Sequence, residues 1–122
     1  MRIFKSKWFT KFAAGESITD DMLQAVVNEA EVGKLDADYG GGVIKQRLAR
    51  PNEGKSGGYR TIILYRKGEN AYFVYGFPKS ERANIDIAEV QEFKKLAKIT
   101  LAFSDDDIAK LIKIGTYKEI KP

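Results

Sequence analysis

Hydrophobic positions along the 122-residue chain change period twice, and each change marks a boundary between kinds of element. In the first third the period is helical. Leu23, Val26, Val27 and Ala30 recur at i, i+3, i+4 and i+7, one stripe of a half-buried helix. Thr19 is a good N-cap for it, and Asp20 and Asp21 fall in the first turn, where negative charge suits the helix dipole. Ile18 and Leu23 are placed as a hydrophobic staple, and Gly33 as a C-terminal stop. Upstream, Met1–Phe4 predicts a short strand. A short amphipathic helix over Lys5–Ala13 follows, ended by Gly15. Its Trp8, Phe9 and Phe12 are expected in the core, with Lys7 and Lys11 on the opposite face.

Gly40-Gly41-Gly42 breaks the helical pattern, and a period of two begins after it. In Val43–Arg50, Ile44 and Leu48 point one way while Lys45 and Arg47 point the other. Residues 51–58 (Pro-Asn-Glu-Gly-Lys-Ser-Gly-Gly) have loop composition. Tyr59–Arg66 is rich in strand formers, and Lys67–Asn70 is a hairpin turn. Ala71–Phe77 is almost continuously apolar, as in a central strand covered on both faces. The short connections predict a three-stranded antiparallel meander with Met1–Phe4 at one edge.

The helical period returns after Pro78. Asp86 and Glu89 form a capping-box pattern ahead of Val90, Phe93, Leu96 and Ala97. Ser104 and Asp107 form another, ahead of Ile108, Leu111 and Ile112, with Gly115 as the stop. The order β-α-α-β-β-β-α-α predicts one α+β domain over 1–122. Its expected form is a small antiparallel sheet of three to four strands, with the helices packed on one face. Residues 104–122 are expected as a C-terminal helical extension that completes the core, covers the sheet as a lid, or meets a partner.

Composition narrows the chemistry. The chain has no Cys and no His. Disulfides, zinc fingers, thiol nucleophiles and His-based acid–base catalysis are excluded. The longest apolar run, Ala71–Phe77, is far below the roughly 20 residues of a spanning helix. No secretion signal is evident at the N-terminus, so a soluble, cytoplasmic protein without a membrane partner is expected. Net charge is +4, but it is unevenly placed. Residues 44–82 hold nine basic and three acidic side chains, while residues 1–43 hold five and seven. A basic middle segment suits an anionic partner such as nucleic acid, or simply a solvated sheet face.

Within that segment Lys45 and Arg47 share a strand face, about 6–7 Å apart. Arg60 begins the neighbouring strand, and Lys79 and Arg82 follow the third. Converging cations bind phosphate and stabilise charge developing on it. Lys55, in the loop, adds a further cation to this segment. Gly54-Lys55-Ser56 lacks the glycine spacing of a nucleotide-binding loop. Asp105-Asp106-Asp107 fits the first turn of a helix better than a metal site, and no metal or cofactor is expected.

Ile44-Lys45-Gln46-Arg47-Leu48, then Gly57-Gly58-Tyr59-Arg60, then Phe77-Pro78-Lys79-Ser80-Glu81-Arg82 appear in that order. This series resembles the RelE/ParE superfamily of bacterial type II toxins, over roughly residues 1–97, and more narrowly a RelE-like subgroup. The resemblance implies a ribosome-dependent endoribonuclease that cuts mRNA by attack of a 2′-OH on the adjacent phosphate, without metal. It implies Lys45, Arg47 and Arg60 as the catalytic set, Lys45 being suited to proton or charge work because Lys titrates more readily than Arg. Lys55, Lys79 and Arg82 are the implied RNA contacts. The partners implied are a cognate antitoxin, the ribosome and mRNA, with operator DNA reached only through the antitoxin. Two positions depart from the family pattern. The Arg expected just after the third strand is Ser80. The Tyr expected further on, as general base, is replaced by Asn84-Ile85-Asp86, which leaves Asp86 as a possible proton acceptor or an N-cap. The superfamily also contains ParE-like inhibitors of DNA gyrase that cut no RNA, and a nucleic-acid-binding module without catalysis is the third alternative.

Overall fold

The computed structural model describes residues 1–50 and 54–121, with backbone alone for 54–56. In chain order the elements are β1 (Arg2–Ser6), α1 (Lys7–Gly15), α2 (Asp20–Glu31), β2 (Ala37–Gly40), β3 (Val43–Arg50), β4 (Gly54–Arg66), β5 (Asn70–Pro78), α3 (Ile87–Thr100), α4 (Asp105–Lys113) and β6 (Tyr117–Ile120). Three helix starts, at Thr19, Asp86 and Ser104, follow the sequence signals, while α1 begins at Lys7 after a cap at Ser6 rather than at the expected Lys5. Ser6, Thr19, Asp86 and Ser104 are the N-caps, each accepting from a backbone N–H of the first turn. Such a cap contributes about 1 kcal/mol.

The sheet is larger than expected and mixed. Among the described residues its strands run β2-β3-β4-β5-β1-β6. Strand β1 lies inside it, parallel to β5 and antiparallel to β6. The remaining pairs are antiparallel. The expectation of three to four antiparallel strands is therefore wrong. Strands β2 and β6 have four residues each, too few to show a period of two. The parallel pairing of β1 follows from the path through α1 and α2, which no strand pattern reports. The stretch expected as a helical extension holds α4 and then β6, which pairs with β1.

Helices cover both faces rather than one. One cluster joins Phe9 and Ala13 of α1 and Leu23, Val26, Val27 and Ala30 of α2 to Ile3, Ile44, Leu48, Ile63 and Phe73. The other joins Val90, Phe93 and Ala97 of α3 and Ile108 and Leu111 of α4 to Phe4, Val43, Ile62, Leu64, Tyr72 and Phe77. Adjacent strand residues such as Ile3 and Phe4, or Ile63 and Leu64, alternate between the two layers. The apolar run of β5 is thus covered twice, as its composition indicated.

Two local features shape the region around the cations. Strand β5 carries a bulge: Ile62 pairs with Tyr75 and Ile63 with Phe73, leaving Val74 extra. The bulge turns Tyr75 and Phe77 toward the α3/α4 layer. Gly58 sits where a Cβ would lie 2.1 Å from the Leu48 carbonyl oxygen, so only glycine lets β3 and β4 approach there. The loop expected over 51–58 gives way by Gly54, which already pairs with Arg50; residues 51–53 lie outside the described residues.

Candidate active site

Strand alternation places Lys45 and Arg47 on the α3/α4 side and Gln46 on the α1/α2 side. Arg60 is the direct cross-strand partner of Arg47. Like charges opposite each other destabilise a strand pair. Asp36, just before β2, supplies the compensation. Arg47 Nε donates to Asp36 Oδ1 at 2.8 Å. Lys45 Nζ lies 3.6 Å, and Arg60 Nε 3.9 Å, from Asp36 Oδ2. Three cations from two strands therefore face one carboxylate, whose side chain is only 13% exposed.

A buried glutamine sets that carboxylate in place. Gln46 Oε1 accepts from the Asp36 N–H at 2.9 Å. Gln46 Nε2 donates to the Lys34 carbonyl at 2.9 Å and to that of Val26 at 3.4 Å. One β3 side chain thus fixes the segment between α2 and β2. Asp36 Oδ2 is buried without a hydrogen-bond donor, and its contacts with Lys45 and Arg60 are purely charge-based.

The three cations differ in access. The Arg47 side chain is 50% exposed, Lys45 is largely covered, and Arg60 is buried. Arg60 Nη1 donates to the Tyr59 carbonyl at 3.4 Å. The buried guanidinium of Arg60 is a fixed charge beneath the cluster, whereas half of the Arg47 side chain is open to solvent.

Asn84 joins the cluster from beyond β5. Its Oδ1 accepts from Lys45 Nζ at 3.3 Å, from the Tyr39 hydroxyl at 2.7 Å and from the Ile85 N–H at 2.9 Å. Burial, with the charge of Asp36 beside it, pushes the Tyr39 phenol above its ordinary pKa. Sequence reasoning missed Asp36 and Tyr39, and treated Asn84 only as a departure. Nothing local marks Asp36 among the acidic residues of the first third. Only the pairing of β2 with β3 brings it to Lys45.

The other expected residues are placed differently. Arg82 donates to both oxygens of Glu89, at 2.6 and 3.0 Å, and to the Asn84 carbonyl at 2.8 Å. Its guanidinium also lies 5.3 Å from the Phe77 ring centroid. The bond to Glu89 raises the Arg82 pKa further, and the same bond holds the Glu89 carboxyl below the ordinary carboxylate range. Asp86 accepts from the Glu89 N–H at 2.8 Å as the cap of α3. Lys79 is exposed, and its N–H donates to the Gly58 carbonyl at 2.9 Å. The Lys55 side chain lies outside the described residues.

Among the described residues no group of three or more acidic side chains is arranged to hold a metal ion. None of their helices is long and apolar enough to cross a membrane. No curated protein sequence matches the chain. The family model described as the RelE toxin of the RelE / RelB toxin-antitoxin system matches residues 1–120. That match takes in α4 and all of β6 as well as the three motifs. The chain belongs to the RelE toxin family of toxin–antitoxin systems, and with that membership comes an antitoxin as its partner.

Proposed function

We propose that the protein is an endoribonuclease that cuts mRNA on the ribosome and so arrests translation and growth. The observation that carries this reading is the convergence of Lys45, Arg47 and Arg60 on the single carboxylate of Asp36. Three cationic side chains are held around that carboxylate in a fixed geometry, with the Arg47 side chain half exposed at the surface. A phosphodiester passing through a doubly charged phosphorane is stabilised by that arrangement without reorganisation of the site.

In the proposed reaction the 2′-OH gives up its proton to solvent water and attacks the adjacent phosphorus, the bond to the 5′-oxygen breaks, and a 2′,3′-cyclic phosphate forms. Arg47 receives the phosphate at the surface, and Arg60 supplies fixed charge beneath it. Lys45, held between Asp36 and Asn84, stabilises the developing charge and donates a proton to the departing 5′-oxygen. Asp86 is assigned to capping α3 rather than to accepting the proton. Lys79 and Lys55 are assigned to the RNA backbone, and Arg82 to anchoring α3. A protein that acts on the ribosome in this way works in the cytoplasm.

Induced expression in a bacterium tests this reading. Growth arrest with codon-positioned cuts in translated mRNA is expected, and the Lys45→Ala/Arg60→Ala double variant should be harmless. Growth arrest with intact mRNA and DNA-damage signalling would favour gyrase inhibition instead.

A further inference from the structure

Trp8 was expected in the core, yet it is 47% exposed while its neighbour Phe9 is fully buried. It belongs to a row of rings that ends at the cationic site. Trp8 stacks on Phe12 at 5.3 Å between centroids and meets Tyr75 at 4.9 Å. Tyr75 in turn lies 5.8 Å from Phe77, over which Arg82 sits, and Arg82 Nη1 is 3.4 Å from the Tyr75 hydroxyl.

The fold builds this placement deliberately. The bulge at Val74 turns Tyr75 toward the site's layer. A Cβ on Gly76 would lie 2.7 Å from the Phe12 ring and 3.2 Å from that of Phe9, so glycine lets α1 close on β5. Strand register then fixes the relation to the cations. Lys45 pairs with Ile62, which pairs with Tyr75; Arg47 pairs with Arg60, which pairs with Phe77. The aromatic row therefore begins two strands, roughly 10 Å, from Lys45 and Arg47. Lys7 and Lys11, next to Trp8 and at the following turn, are exposed and form no ion pair among the described residues.

Resting on the nuclease reading, we propose that Trp8, backed by Tyr75, is a stacking wall for a nucleobase of the same RNA strand whose backbone meets Lys45 and Arg47. An exposed indole beside unpaired cations has the chemistry of a single-strand binding surface: bases stack on the ring while lysines follow the phosphates. A wall of this kind is tolerant of base identity and sets where the strand lies.

A fluorescein-labelled, single-stranded 2′-O-methyl oligoribonucleotide, which lacks the attacking hydroxyl, is the probe. Anisotropy at low salt gives its Kd for the wild-type protein and for Trp8→Ala, Trp8→Leu, Trp8→Phe and Lys45→Ala/Arg60→Ala. Trp8→Ala and Trp8→Leu should weaken binding by about fivefold to a hundredfold, and Trp8→Phe by much less. Trp8 is the sole tryptophan, so its emission should be quenched as the oligonucleotide saturates the wild-type protein. Trp8→Leu keeps apolar bulk without a π face, which separates stacking from folding. Wild-type affinity in both Trp8→Ala and Trp8→Leu, with the double variant weakened, would overturn the stacking wall while leaving the nuclease reading intact. That same result is expected if the row serves a protein partner. An affinity that the double variant does not change, or no wild-type binding, would overturn both.

Discussion

A cluster of three cations and a single arginine flank the same strand ends, and they differ in how each is held. Lys45, Arg47 and Arg60 share Asp36. Arg82 donates to both oxygens of Glu89, one of which also accepts from the Asp86 N–H. The first brings three cationic side chains into one fixed arrangement, with Arg47 half exposed. The second is neutralised, and its guanidinium serves to tie the loop after β5 to the first turn of α3. Counting basic residues along the sequence makes the two look alike. Their placement in the fold separates a cluster with one half-exposed guanidinium, Arg47, from a structural clasp.

The largest test of that difference removes cations from the first group. Lys45→Ala/Arg60→Ala should lower cleavage by about a thousandfold or more, since a single preorganised charge-stabilising donor is worth about a hundredfold or more. Far-UV circular dichroism should show the fold retained. Equal activity in variant and wild type would mean that the shared-carboxylate group is no site.

Next comes the approach of the two strands that carry the group. Gly58→Ala drives a methyl into the Leu48 carbonyl and, at 2.7 Å, the Arg50 nitrogen. Overpacking at this level costs about 3 kcal/mol. Urea unfolding should show a lower midpoint, and activity should fall because Arg60 is two residues away.

Asp36→Asn separates holding from binding. Losing the charged acceptor of Arg47 costs about 2 kcal/mol of stability. Removing one negative charge should leave RNA affinity equal or higher, while cleavage falls because Lys45 and Arg60 lose their common anchor. Reduced RNA affinity in this variant would contradict the assignment of Asp36 as internal counter-ion.

The smallest effect belongs to the clasp. Glu89 has a folded pKa below its unfolded value, so the unfolded chain takes up its proton first as pH falls. The stability it contributes is complete above about pH 5 and is lost as pH falls through the lowered folded value. Arg82→Gln should lower the melting temperature by a few degrees at neutral pH and flatten the acid limb of stability. Little change in RNA affinity is expected, because Arg82 is already engaged.

The comparison also shows what a sequence can carry. Caps at Thr19, Asp86 and Ser104 were legible, because capping is decided within four residues. So was the stripe of α2, and so was the β3 alternation that sets Lys45 and Arg47 on one face. The strands β2 and β6 were not, since four residues do not establish a period. Their absence from the sequence reading led to a sheet too small and covered on one side only. The same gap hid Asp36, whose role depends on β2 pairing with β3 and on Gln46 reaching across. Arg82 was legible as a cation but not as a committed one, because its partner Glu89 is known only once α3 is placed.

The most direct test of the central claim is the chemistry of the cut end. Purified protein is added to ribosomes stalled on a 5′-labelled mRNA, and the upstream fragment is analysed for its 3′ terminus. A 2′,3′-cyclic phosphate with wild type, and uncut message with Lys45→Ala/Arg60→Ala, is the result predicted. Uncut message with wild type, a 3′-hydroxyl end, or cleavage undiminished in the double variant would contradict it.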